Sequence, residues 1–277
     1  MVSNDWTTAR RDNTGPGLRR ERRGISPQMD TTTIILVAGA AFLAGGSIKG
    51  LVGIGLPTAS IALMTLALYP RTAIALVLFP MIGSNMWQLF RSGQVMRSAR
   101  RYGVFAAILF LGVGLTAFGT RDASDRLLLL VLGVMVLIFV AISWRGLVPT
   151  LPDSYDRTAQ VIFGLLAGVI GGMTAAWAPP MAVYLSARQV DKDEFIRATG
   201  FLITVGSLPL IIAYLQLGFL TGKLASISLL MLVPTIAGFS LGEFLRNRLS
   251  TDGFRNAILI TFVILGLNLV RRAIWYD

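Results

Sequence analysis

A chain of 277 residues that is 54% hydrophobic and 14% charged, with a mean hydropathy of +0.69, is no ordinary soluble domain, in which roughly a quarter of residues carry charge. The net charge of +11 does not imply nucleic acid, because the Arg residues lie in the amino-terminal tail and in the loops between apolar runs, where membrane proteins place them. The absence of Cys and His excludes disulfides, thiol chemistry and imidazole-based metal sites or proton relays.

Residues 1–30 are polar and carry Arg10, Arg11, Arg19, Arg20, Arg22 and Arg23, which reads as a disordered basic cytoplasmic tail. The polar lead is too long and the following apolar region too extended for a signal peptide. The apolar region 34–69 would make a straight helix of ~54 Å, too long for one crossing and too short for two with a turn. Gly45, Gly46, Gly50, Gly53, Gly55 and Pro57 supply a break, so this region reads as a long interrupted helix followed by a short partial one. Apolar runs then follow at 72–90, 102–120, 127–144, 161–185, 198–216, 224–241 and 257–270, most near the length that crosses ~30 Å of hydrocarbon. The fold class expected is an all-α polytopic membrane protein with about eight transmembrane segments.

The two halves resemble each other. "LAGGSIKGLVGIGLP" from Leu43 aligns with "LAGVIGGMTAAWAPP" from Leu166 at a constant offset of 123, and the same offset carries Gly83-Ser84 onto Gly206-Ser207 and Gly119 onto Gly242. An internal duplication follows, with a first transmembrane repeat at 31–145, a linker at 146–158 and a second repeat at 159–277. Each is a four-helix unit with Gly/Pro-broken helices. Four crossings per half would make the repeats parallel, with the amino terminus in the cytoplasm; a broken region that crosses differently would invert them. Corresponding broken segments point to a transporter whose site lies at the repeat interface near mid-membrane.

Lys49 is the sharpest candidate. It is one of three Lys in the chain, and no acidic residue lies between Asp30 and Asp122 to pair with it. An ammonium in hydrocarbon costs about 2.5–3.5 kcal/mol and needs a cavity or a partner, for which a small anionic substrate qualifies. Snorkelling to an interface or pairing with Glu243 are the competing readings. After the breaks, Pro57, Thr58 and Ser60 would begin one half-helix and Pro180 and Met181 the other, and their free N–H groups, with the break residues Gly50, Gly53, Gly55 and Pro179, would face an anion. Close helix packing is the plainer use of the glycines. Ser84, Asn85, Gln88, Thr174 and Ser207 are polar at membrane depth, and Trp87 and Trp177 lie near enough in sequence to wall a cavity. Without a carboxylate pair, a Walker motif or a metal-ligand cluster, no enzyme chemistry and no cofactor are expected.

The motifs "AGGSIKGLVGIGLP" and "AGVIGGMTAAWAPP", and the two four-helix units around a polar centre, resemble the TauE/SafE family of sulfite exporters, also grouped as toluene sulfonate uptake permeases, over about 35–269. The first motif thins the family's glycine run to Gly53-Ile54-Gly55, and the second has Ala176-Trp177-Ala178 where glycines are common. The resemblance implies passage of sulfite, sulfoacetate or a related organosulfonate across the bacterial cytoplasmic membrane, with the bilayer as environment and a homodimer as an open question. An anion-selective pore and an ion-coupled uptake permease are the alternatives.

Overall fold

The computed structural model describes residues 30–145, 150–246 and 251–275, which contain helices, turns and loops but no strand. The basic tail 1–29 and the linker residues 146–149 lie outside the described residues. The first half forms α1 (Thr31–Val52), α2 (Leu56–Met64), α3 (Pro70–Ser92), α4 (Val95–Gly119) and α5 (Asp125–Arg145). The second half forms α6 (Asp156–Thr174), α7 (Ala178–Ala187), α8 (Lys192–Gln216), α9 (Gly222–Leu230), α10 (Leu232–Arg246) and α11 (Thr251–Ile274). Seven stretches of the described residues are long and apolar enough to cross a membrane, with α9 and α10 counted together as one. Adding 123 to the bounds of α2 and α3 gives 179–187 and 193–215, within two residues of α7 and α8.

Local chemistry sets these boundaries. Gly53 ends α1 in the left-handed region at φ 89°, where its N–H donates to Lys49 O, and Gly55 at φ 102° turns the chain into α2. Ala175 takes the same left-handed role after α6 at φ 57°. Pro57 and Pro70 occupy first turns, where their missing N–H is no loss. The Asp191 side chain accepts from Glu194 N at 2.8 Å, and Thr221 likewise caps α9.

Contacts between helices fix their directions. Gly46 lies against Thr235 and Gly50 against Phe239, so α1 and α10 run parallel. Gly164, Gly168 and Gly172 meet Phe105, Gly112 and Thr116 in turn, so α6 runs parallel to α4. Gln88 near the end of α3 reaches Ile196 near the start of α8, so those two are antiparallel. Arg101 pairs with Glu194, and Gly206 packs on Leu109, which makes α4 and α8 parallel. The α2 hydroxyl of Ser60 donates back to Ala41 O at 3.2 Å, so α1 and α2 form a hairpin, and α7 folds back on α6 in the same way, with Tyr184 stacked on Phe163.

It follows that α1 and α3 start at one end of the bundle, hereafter the first end, whereas α4, α6 and α8 start at the other, the second end. The parallel repeat arrangement is therefore not what forms. Each broken segment returns to the end it came from, which leaves three single-pass helical segments per half after the hairpin. An odd number reverses the second half relative to the first. The run 161–185, a single apolar stretch in sequence, is likewise split into α6 and α7.

The central elements are α2 and α3: Ile61, Ala62, Met64 and residues 73–78 are at most 1% exposed. Two of the surrounding contacts repair backbone breaks. Pro80 inside α3 deprives Leu76 O of its helical donor, and Ser228 Oγ on α9 donates to that carbonyl at 2.8 Å. In α4 the dihedrals leave the helical region at Tyr102 (φ −110°, ψ 16°). The Gln160 amide of α6 spans the opened rung, donating to Arg101 O and accepting from Phe105 N, each at 3.1 Å.

Candidate functional site

Lys49 lies about one turn before the end of α1 and is 2% exposed. Its ammonium crosses to α3, donating to Asn85 Oδ1 at 2.8 Å and to Ser84 Oγ at 3.1 Å. Both acceptors are oriented by α3 itself: Asn85 Nδ2 donates to Met81 O at 2.7 Å and Ser84 Oγ to the same carbonyl at 3.3 Å. With their protons directed at Met81 O, the two side chains offer oxygen to the lysine. Among the described residues no carboxylate forms an ion pair with Lys49, Glu243 included. The ammonium thus has neutral acceptors for two of its three N–H groups and a charge that no carboxylate among the described residues neutralises.

The break around this lysine shapes the site. α2 begins at Leu56 beside Gly45, about two-thirds of the way along α1, with no side chain capping its first turn and Pro57 within it. Thr58 and Pro57 are buried. A half-helix starting inside the bundle directs a positive dipole end and unshared N–H groups into the interior. Gly45 has no room for a side chain, because Ser60 Oγ and Leu56 O occupy its Cβ position.

The other sequence candidates separate into three groups. Gln88 joins the site's outer edge, since its amide donates to Ile196 O at 2.7 Å and to the Thr199 hydroxyl at 3.4 Å. Gly50 faces α10, where Phe239 O and Glu243 N crowd its Cβ position. Gly53 and Gly55 form the turn itself. In the second half, Thr174 donates to Ile170 O and accepts from Ala176 N, and Ser207 donates to Ile203 O on its own helix. Pro179 and Pro180 are buried in the first turn of α7, and Trp177 is 1% exposed with its ring in the space left by Gly171. Its indole Nε1 has no hydrogen-bond partner. Trp87, at 65% exposure, faces outward and walls no cavity.

The structure also brings together residues that the sequence did not single out. Glu194, 2% exposed at the start of α8, is held by Arg197 at 2.6 Å and approached by Arg101 of α4 at 3.5 Å. Beside it, Asp156 accepts from Tyr184 Oη at 2.8 Å and pairs with Arg188 Nε at 3.0 Å. The spacing of Glu194 and Arg197 is a sequence signal for one pair, but Arg101 and Asp156 are brought there only by the fold.

A family model described as Sulfite exporter TauE/SafE matches residues 37–269. No curated protein and no solved structure matches the chain.

Proposed function

Because the chain belongs to the TauE/SafE sulfite exporter family, a family of membrane transporters for sulfur anions, we propose that it exports a small sulfur-containing oxyanion across the bacterial cytoplasmic membrane. Sulfite, sulfoacetate or a related organosulfonate is the substrate class. The observation that carries this reading is Lys49: a buried cation with neutral oxygen partners and, among the described residues, no carboxylate paired with it. An anion entering beside it neutralises the charge, takes up the remaining ammonium N–H, and finds the uncapped start of α2 in the same interior.

Ser84 and Asn85 position the ammonium, and Gln88 ties α3 to α8 beside it. Direction follows from electrostatics. With the cell interior negative, moving one elementary charge is worth about 2.3 kcal/mol per 100 mV, so a monovalent anion leaves downhill without a coupling ion.

The test is sulfite efflux from proteoliposomes together with thermal unfolding of the detergent-solubilised protein, for the wild type and Lys49→Met. Methionine keeps the length and removes the charge. The expected result is a folded variant whose sulfite affinity, read from the stabilisation, weakens about 10- to 100-fold, the value of a charged hydrogen bond, and whose flux falls to background. Undiminished flux would overturn the assignment of Lys49 to the substrate.

A further inference from the structure

Glu194 at the second end of the bundle is shared by two guanidinium groups. Arg197 Nη2 donates to Oε2 at 2.6 Å, and Arg101 Nη1 lies 3.5 Å from Oε1. Two cations thus face one buried carboxylate, with Asp191 and Asp193 also acting on Arg197. Tyr102 Oη faces the same carboxylate as a third donor, and Arg197 Nε is buried without a hydrogen-bond partner. Buried polar groups are rarely left unmade, so an unpaired guanidinium N–H beside this carboxylate indicates a place that something else fills part of the time.

The spare donors are those of an oxyanion site. Arg197 Nε is unspent, Tyr102 Oη is turned on Glu194, and Arg101, with its side chain 40% exposed, reaches toward the surface. The neighbouring acidic cluster is no source of such donors, because Asp156, Tyr184, Gln160 and Arg188 satisfy one another. We propose that Arg101, Arg197 and Tyr102 form a second, outer oxyanion site that Glu194 occupies as a built-in competing anion until a visiting ion displaces it.

Its place on the route supports this. Glu194 precedes Gly200, which packs on the Asn85 backbone, by ~9 Å of helix, and Gln88 bonds Ile196 between the two levels. An anion bound here stands next in line to Lys49. Arg101 and Tyr102 also sit at the break in α4, where the Gln160 amide replaces a helical hydrogen bond, so the arm carrying both donors is attached at a hinge point. The inference rests on the anion-carrying reading above for the identity of the visiting ion, but it can fail separately from it.

The experiment removes the inner site first. In full-length Lys49→Met protein, sulfite and sulfate are titrated calorimetrically and their effect on the unfolding midpoint is followed, with and without Glu194→Gln. With the competing carboxylate neutralised, binding should tighten at least fivefold, and added oxyanion should restore the midpoint that Glu194→Gln lowers. Adding Arg101→Gln should abolish both gains. If oxyanion neither binds more tightly nor restores the midpoint, Glu194 is a structural ion partner and the proposal is wrong, whatever Lys49→Met does to transport. Should Glu194→Gln fail to fold, Arg101→Gln alone decides, with sulfite presented to the second end of the bundle: a roughly tenfold rise in the half-saturating sulfite concentration for flux, with maximal flux retained, supports the outer site. An unchanged half-saturation overturns it.

Discussion

The burial of Lys49 is tolerable because Asn85 and Ser84 have only oxygen to offer it, their own protons being directed at Met81 O. Removing one partner of such a group costs more than the contact contributes, since the other is left desolvated and unpaired. Asn85→Leu should therefore lower stability by about 2–4 kcal/mol, whereas Lys49→Met with Asn85→Leu should recover most of that loss. Thermal unfolding of the single and double variants measures the coupling, expected at about 1.5–3 kcal/mol. A coupling near zero would mean that the two side chains do not depend on each other. Lys49 and Asn85 were legible in the sequence because each is chemically out of place in an apolar run. Ser207 and Thr174 were equally visible, but a repeat offset does not say where a hydroxyl points, and both bond their own helices. The offset in fact lands Lys49 on Gly172, Asn85 on Leu208 and Gln88 on Ile211, so the polar arrangement belongs to the first half alone.

At the scale of elements, glycines that look equivalent in sequence do different work. Gly46 and Gly50 on α1 meet Gly238 and Gly242 on α10, two small-xxx-small faces in parallel contact with backbone against backbone. In a bilayer, where lipid is as apolar as leucine, such close packing is a main source of helix association. A Cβ at Gly242 would strike Ser47 O and lie 2.9 Å from Gly50 Cα, whereas one at Gly119, its repeat partner, meets nothing within 4 Å. Gly242→Ala should destabilise by about 2–3 kcal/mol, an overpacking cost. Gly119→Ala, near the end of α4, should be neutral or slightly stabilising, by up to about 1 kcal/mol. Unfolding midpoints in detergent separate the two, and equal effects would contradict the α1–α10 contact. The sequence announced the breaks through Gly and Pro, and helix ends followed from those residues. It did not single out the break of α4 at Tyr102, because an isolated glycine such as Gly103 is tolerated inside a helix; the Gln160 side chain from a distant helix marks the break.

For the whole molecule, the path of the chain is the property least legible from the sequence. Hydropathy finds apolar runs but not whether a broken run emerges on the far side or turns back. Residues 34–69 and 161–185 both turn back, and each return shifts the side of everything that follows. The chain has no cysteine, so single introduced cysteines give a clean test. Gly93, between α3 and α4, and Gln189, between α7 and α8, lie at the second end, whereas Ala123, between α4 and α5, and Gly218, between α8 and α9, lie at the first. Four crossings per half would instead group Gly93 with Gly218 and Ala123 with Gln189. A membrane-impermeant thiol reagent applied to intact cells should therefore label Gly93→Cys and Gln189→Cys alike, and Ala123→Cys and Gly218→Cys alike, with the two pairs opposite. Any other grouping would contradict the two hairpins. The same experiment assigns the cytoplasmic end, which charge alone leaves divided: Arg91, Arg97, Arg100, Arg101, Arg145, Arg157, Arg188, Lys192, Arg197 and Arg246 gather at the second end, whereas Arg71, Arg121, Arg126, Lys223, Arg271 and Arg272 share the first with the start of α1, which the Arg-rich tail precedes. If the pair at the second end is labelled from outside, the outer oxyanion site faces the exterior and Glu194 guards release. If that pair is protected, the same site faces the cytoplasm and receives the exported anion first.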